Sequence, residues 1–334
     1  MDTKRLTDYM RSRMPEAQDL AVVDFKRIPG GSSRETYSFD LQWTQNGERR
    51  SRPLIGRRDP TGGLLKTERE REYKIVDAVF EAGLKVPEPL FLEIDASTMD
   101  RPFFIMHRER GRTGYGYQMA MEAPKLREKL ADDFLTELAG IQALDWRAMG
   151  LDFLGVPESG EGAARAVAEH WYEIYEKDRL EEHYPLLDAA FAWLRANPVS
   201  TDRITLVHGD FRSGNYLFDE NGLIAMLDWE MAHLGDPMED LGWTTMPLWG
   251  HEQLAGGLID REKFCRLYEK KTGSRVDQKR LTWYQILGNA KMAVICLTGI
   301  CDFTQGRTSD MTMPMLTLIL PMLMGELGRH LGLL

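Results

Sequence analysis

Residues 204–230 constrain this chain more than any other stretch. Ile204, Thr205, Leu206 and Val207 form a short apolar run with β-branched side chains, which reads as a buried strand. A polar loop carrying Asp210 and Asn215 follows, then a second short strand over 216–218. Glu220, Asn221 and Gly222 make a turn in which glycine is free to take positive φ, and a third apolar run over 223–227 ends at Asp228. The hairpin over 216–230 therefore returns Asp228 to the loop that carries Asp210 and Asn215. Two carboxylates and a carboxamide converge where nothing apolar requires them.

With 334 residues the chain is long for a single core and fits one two-lobed protein or two domains. Apolar side chains make up 43% of it, ample for a packed interior, and the net charge of −10 argues against a general nucleic-acid or anionic-membrane partner. Cys265, Cys296 and Cys301 have no metal-ligand spacing and leave an odd thiol, which suits a reducing cytosol, so a cytoplasmic location is expected. Residues 1–20 are charged and lack the apolar centre of a signal peptide. The stretch 311–324 reads as the most apolar, but Pro314 and Pro321 interrupt it and it is too short to cross a bilayer. No membrane association is expected, and the chain is expected to act as a monomer or homodimer.

Phosphoryl transfer from Mg-ATP needs such a trio. An aspartate must accept the proton of the attacking hydroxyl, and an amide oxygen with a second carboxylate must hold the metal that neutralises the triphosphate. The kinase pattern is H-x-D, four residues, Asn, and a metal-binding Asp after a hairpin. Here it reads His208, Gly209, Asp210, then Asn215, with Asp228 after the turn. That assigns Asp210 as the base and Asn215 and Asp228 as Mg2+ ligands. Glycine at 209, the sequence Asp228-Trp229-Glu230 and the continuation Gly235-Asp236-Pro237-Met238-Glu239-Asp240-Leu241-Gly242-Trp243 resemble the aminoglycoside-phosphotransferase and choline-kinase-like superfamily. Within it, the chain most resembles the kinase-like domains that occur alone in bacteria and fused to acyl-CoA dehydrogenases in animals. The resemblance spans roughly residues 20–330. Asp236 and Asp240 read as structural caps that brace the loop near Asp228, and His208 as a buried histidine holding that loop.

The resemblance implies an α+β, bilobal protein-kinase-like fold, with ATP between the lobes. An N-lobe over 1–107 would hold a five-stranded antiparallel sheet and one αC helix; a larger, mainly helical C-lobe over 108–334 would carry the catalytic loop 208–215. Helical spacing predicts a short amphipathic helix over 3–14. The sequence around Gly30, Gly31, Ser32 and Ser33 reads as a hairpin turn whose backbone could cover nucleotide phosphates. A strand ending in Arg57 and Arg58 falls where kinases place a phosphate-gripping lysine. Arginine can do this bidentately, and the dehydrogenase-linked relatives usually carry one there, which favours Arg57. Thr67 and Glu70 form a capping box for a helix reaching about residue 81. Glu72 falls where the family's lysine-pairing glutamate lies. Strands over 86–93 and 101–107 flank a turn at 95–100, and Met106, His107 and Arg108 resemble the hinge where backbone groups meet adenine.

Helices are predicted over 123–146, around 167–175 and 185–194, and then over 260–272, 280–301 and 315–332. Arg212, two residues after the base, is placed by spacing to stabilise charge on the transferring phosphate. Segment 160–190 carries eight acidic and three basic side chains, which could receive a cationic substrate or simply be a solvated face. Its aromatics Trp171, Tyr172, Tyr175 and Tyr184, with Arg108, Arg110 and Arg112 beyond the hinge, favour a neutral or anionic acceptor. The expected activity is an ATP- and Mg-dependent phosphotransferase acting on a hydroxyl of a small metabolite. The resemblance to dehydrogenase-linked domains implies a hydroxy acid or hydroxyacyl-CoA. Aminoglycoside O-phosphorylation and a regulatory, nucleotide-binding pseudokinase are the alternatives.

Overall fold

The structure is a computed structural model and describes residues 2–28, 35–59, 69–179 and 182–334. It divides into two compact units, Met1–Arg110 and Gly111–Leu334, three residues beyond the boundary expected from sequence.

The first unit consists of α1 (Thr3–Arg13), β1 (Gln18–Ile28), β2 (Glu35–Gln45), β3 (Glu48–Arg58), α2 (Arg69–Glu81), β4 (Pro89–Glu93), α3 (Ala96–Met99) and β5 (Phe103–His107). The sheet order is β1-β2-β3-β5-β4 with every neighbouring pair antiparallel. Strand alternation sorts its side chains onto two faces. Phe39, Leu41, Leu54, Phe103 and Ile105 pack with Leu6, Tyr9 and Met10 of α1 on one face. Ile55, Phe104 and Met106 pack with Tyr73 of α2 on the other. Arg57 shares the parity of Ile55 and Arg58 that of Leu54, so adjacent arginines point to opposite faces.

Two local differences from the sequence reading have steric causes. Strand β4 starts at Pro89 rather than near 86, because Pro87 and Pro89 offer no N–H to a ladder. The 95–100 turn tightens into the one-turn helix α3, whose N-cap Asp95 accepts from the Ser97 N–H at 2.8 Å.

The second unit begins with α4 (Gly116–Ala120), α5 (Pro124–Ala143), α6 (Gly160–Asp178) and α7 (Pro185–Ala196). Then come β6 (Thr205–Val207), β7 (Tyr216–Asp219), β8 (Gly222–Met226), β9 (His233–Gly235), α8 (Met238–Thr244), β10 (Leu254–Ala255) and β11 (Ile259–Asp260). Helices α9 (Arg261–Thr272), α10 (Gln278–Thr304), α11 (Thr312–Met315) and α12 (Leu320–His330) close the chain. β7 and β8 form the expected hairpin, and β6 pairs with β9.

Helix α10 is the axis of this unit and packs against α6, α7, α8 and α12. It is long and apolar enough to cross a bilayer, yet 78% of its most apolar window is buried inside the protein. From sequence the most apolar stretch is expected at 311–324. There Pro314 and Pro321 split the expected 315–332 helix into α11, a 3-10 turn and α12. Beneath the 208–215 loop, Phe134 of α5 stacks on Phe211 with centroids 4.0 Å apart, and Trp146 donates to the Ile204 carbonyl at 3.0 Å.

Candidate active site

The loop after β6 is held by its own backbone groups. His208 is fully buried, and burial pulls its imidazole down to about 4, so it is neutral at pH 7. Its Nδ1 accepts from the Asp210 N–H at 3.2 Å, and Nε2–H donates to the Leu227 carbonyl at 3.0 Å. It is a brace, as the sequence reading expected. Gly209 adopts φ +80°, and a Cβ there would lie 2.4 Å from the Met231 carbonyl oxygen, so only glycine fits. Asp240 of α8 accepts the N–H of His208 at 2.8 Å and of Gly209 at 2.9 Å, while Lys291 of α10 donates to the Gly209 carbonyl.

Those contacts present Asp210. Its Oδ1 accepts from Arg212 Nε and from Trp243 Nε1, each at 2.8 Å, and its Oδ2 accepts from Asn215 Nδ2 at 2.5 Å. The Asn215 amide also donates to the Asp210 carbonyl at 3.0 Å. With its NH2 turned to the Asp210 carboxylate, its Oδ1 lies on the opposite side of the amide, the atom suited to a cation. The Leu227 N–H donates to the Asn215 carbonyl at 2.8 Å, which sets Asp228 beside Asn215. Asp228 has φ 66° and ψ 64°, a left-handed conformation that costs a non-glycine residue about 1–3 kcal/mol and concentrates at functional positions.

Hard oxygens of this kind fit Mg2+. Among the described residues no cluster of three or more His, Cys, Asp or Glu side chains could hold a metal alone. Arg212 is not extended into solvent: its guanidinium lies 4.4 Å from the Trp249 ring centroid, and Nη1 donates to the Ser213 carbonyl at 3.2 Å.

In the first unit, Arg57 Nη1 lies 3.3 Å from Glu72 Oε1, on the α2 face of the sheet. Glu72 is 2% exposed and its Oε2 also accepts from Arg69 Nη1 at 2.7 Å, while Arg69 Nε meets Asp59 at 2.8 Å. Glu70 instead pairs with Lys74 at the surface, 2.7 Å away. Arg58 is committed to the opposite face, donating to Glu35 at 2.9 Å and to the Met99 carbonyl at 3.1 Å. Of the two arginines, Arg57 is the one that meets Glu72. Arg69 was missed; its one sequence signal is the i,i+3 spacing to Glu72.

Other expectations fare differently. Gly30, Gly31, Ser32 and Ser33, and the cap at Thr67, lie outside the described residues. At the hinge, the His107 N–H donates to the Glu88 carbonyl at 2.8 Å and the Arg108 N–H to the Pro53 carbonyl at 3.0 Å. Both donors are therefore engaged within the sheet region, and an adenine there would have to use other backbone groups. The His107 Nδ1 is buried. Arg108 pairs with Asp40 at 2.6 Å, and Arg112 pairs with Glu122 and lies over Phe218, so neither is an uncommitted charge for an anionic acceptor.

Within 160–190, Trp171 and Tyr175 are core residues, 4% and 0% exposed, rather than a lining for substrate. Five of that segment's eight carboxylates are occupied: Glu161 by Arg165, Glu169 by Arg195, Glu176 by Arg179, Asp178 by the Thr298 hydroxyl and Asp188 by the Tyr175 hydroxyl. The acidic run is a paired face.

The largest omission from the sequence reading is the buried polar layer under the loop. Glu239 meets His233 at 3.1 Å and Lys291 at 3.8 Å. Burial pulls the Lys291 ammonium down against the pull of Glu239. Burial likewise pushes Asp240 up to about 7, opposed by the two N–H groups it accepts. Asp236, read as a cap near Asp228, does cap α8 through the Met238 N–H at 2.8 Å, but its main partner is Arg280 of α10.

A family model described as a phosphotransferase enzyme family matches residues 24–270. The chain is similar to acyl-CoA dehydrogenase family member 11 of Rattus norvegicus, 27% identical over 327 residues, which cover 92% of this chain and 40% of that protein. It is also similar to acyl-CoA dehydrogenase family member 10 of Mus musculus, 31% identical over 228 residues, covering 67% of this chain and 20% of that protein. The chain thus spans less than half the length of these curated relatives. Among solved structures it resembles a candidate aminoglycoside phosphotransferase from Ralstonia eutropha, with TM-score 0.75, 23% identity and coverage of 99% and 98% of the two chains. It also resembles the GDP complex of aminoglycoside 2'-phosphotransferase-IIIa, with TM-score 0.65, 15% identity and coverage of 98% and 99%. These likenesses place the fold as kinase-like, with an N-terminal antiparallel sheet and a helical C-terminal region.

Proposed function

The chain belongs to the phosphotransferase enzyme family, and on that premise we propose that it transfers the γ-phosphoryl group of ATP, with Mg2+, to a hydroxyl of a small metabolite. The observation that carries this reading is the Asp210 carboxylate, pinned by Arg212, Trp243 and Asn215, with left-handed Asp228 folded back beside Asn215. Asp210 orients the acceptor hydroxyl and takes its proton as the acceptor oxygen bonds to phosphorus and the bond to the ADP oxygen breaks. Asn215 Oδ1 and the Asp228 carboxylate would hold Mg2+, which offsets the charge of the phosphates when bound. Arg57, braced by Glu72, would grip phosphate in place of the lysine usual in kinases. Arg212 would turn from Asp210 toward an equatorial phosphoryl oxygen, where charge develops in a loose transition state.

For the acceptor we propose a hydroxy acid or its CoA thioester. The relatives named as acyl-CoA dehydrogenase family members support an acyl-linked substrate, because phosphorylation turns a poor leaving group, hydroxide, into a good one. The paired carboxylates of α6 support it from the other side, since a polycationic sugar would need several unpaired ones. An acceptor panel tests this. ADP release with Mg-ATP is measured against hydroxy acids, hydroxyacyl-CoAs of graded chain length and kanamycin. Turnover with the acids or thioesters and little with kanamycin is the expected outcome. Efficient kanamycin phosphorylation, with resistance conferred on a sensitive host, would overturn it in favour of aminoglycoside O-phosphorylation.

A further inference from the structure

We propose that Trp243 is the positioning residue of the base: its indole N–H, presented from α8, fixes Asp210 Oδ1 so that the carboxylate keeps one orientation through the reaction. The inference rests on the reading of Asp210 as the base. Oδ1 accepts two hydrogen bonds, from Arg212 Nε and Trp243 Nε1, both 2.8 Å long. Arg212 belongs to the same loop as Asp210 and must leave the carboxylate to meet a phosphoryl oxygen. Trp243 comes from a separate, buried helix, so its bond persists when the arginine turns away.

The surroundings of Trp243 are built to hold it still. The side chain is 2% exposed, and its ring lies against Trp249 with centroids 5.2 Å apart. The Lys291 ammonium sits 4.5 Å from its centroid while donating to the Gly209 carbonyl, so one cation fixes both the loop backbone and the indole. A cation over the ring face withdraws electron density and makes the N–H a stronger donor to the carboxylate. Two glycines make the room. A Cβ at Gly288 would meet Trp243 Cε3 at 3.2 Å and Met246 Sδ at 2.5 Å, and one at Gly242 would meet Tyr284 Cβ at 2.6 Å. Helices α8 and α10 can therefore approach closely enough to aim the indole at the base.

The decisive variant removes the N–H and keeps the shape: Trp243→3-benzothienylalanine, with Trp243→Phe beside it. Turnover is read as phosphate release from Mg-ATP with water as acceptor and as ADP release with a hydroxyacyl-CoA. Mg-ADP affinity is read by calorimetry, and Tm reports the fold. Loss of one charge-assisted hydrogen bond at the base is expected to lower kcat about tenfold or more, with Mg-ADP affinity unchanged and the isostere's Tm near wild type. The isostere keeping wild-type kcat would overturn the inference, and so would a Trp243 indole proton resonance that does not move in Asp210→Asn. If Asp210→Asn itself keeps turnover, the base assignment fails first. If Asp210→Asn is inactive and the isostere is not impaired, only the role of Trp243 falls.

Discussion

Adjacent arginines on one strand have opposite fates here, and strand parity decides which. Arg57 lies on the face of Ile55 and reaches Glu72, whereas Arg58 lies on the face of Leu54 and is consumed by Glu35, Tyr37 and the Met99 carbonyl. Their substitutions should therefore separate by observable. Arg57→Ala is expected to raise the KM for ATP about tenfold or more, with Arg57→Lys recovering part of the loss, because a phosphate contact made by a charged donor is removed. Arg58→Ala should lower Tm and leave that KM nearly unchanged. Steady-state kinetics beside thermal melts read both, and a KM effect at 58 with none at 57 would contradict the assignment. At this scale the sequence was legible where a residue's placement follows from spacing, as with Asp210 beside Asn215 in one loop. It was opaque for Arg69, Trp243 and Lys291, because a buried cation or a hydrogen-bonding indole has the same letter as a surface or core one.

At the scale of elements, the junction of β6, the 208–215 loop and α8 is held by buried ionisable groups, and they titrate in opposite senses. Asp240 is pushed by burial to about 7 from the usual 3.8, so its protonated form stabilises the fold fully below about pH 4, and that contribution is lost as pH rises through 7. His208 is pulled by burial to about 4 from 6.5, so its neutral form stabilises above 6.5, and that contribution is lost as pH falls through 4. Between those limits the two slopes offset each other. Asp240→Asn deletes the first and leaves the second, so its Tm should fall more steeply than wild type as pH is lowered from 6.5 towards 4. Parallel Tm-against-pH curves for the two proteins would contradict this account. The sequence foresaw Asp240 as a brace because aspartate just inside a helix N-terminus is a capping signal. It did not show that the carboxylate clamps His208 and Gly209, because that contact joins residues 31 and 32 apart in the chain.

For the whole molecule, the change of period near residue 123 marked where strands give way to helices, and the family resemblance supplied the two-lobed α+β architecture. The hairpin over 216–230 followed from turn chemistry, and the five-stranded sheet from the family resemblance. The acceptor was not readable, because fold and catalytic motif do not fix substrate. Two of the four aromatics proposed to line its site, Trp171 and Tyr175, are core, and two of the three arginines proposed to meet it are paired. What the residues do define is a loop whose backbone N–H and carbonyl groups are tied down so that the Asp210 carboxylate is presented beside Asn215. Comparing Asp210→Asn with wild type tests that claim most directly, measuring Mg-ATP affinity and kcat on the best acceptor of the panel in the same preparation. Nucleotide affinity close to wild type with kcat reduced roughly 10²-fold or more is predicted, since the base is lost and the metal ligands remain. A variant that keeps more than about a tenth of wild-type kcat would contradict the assignment of Asp210 as the base.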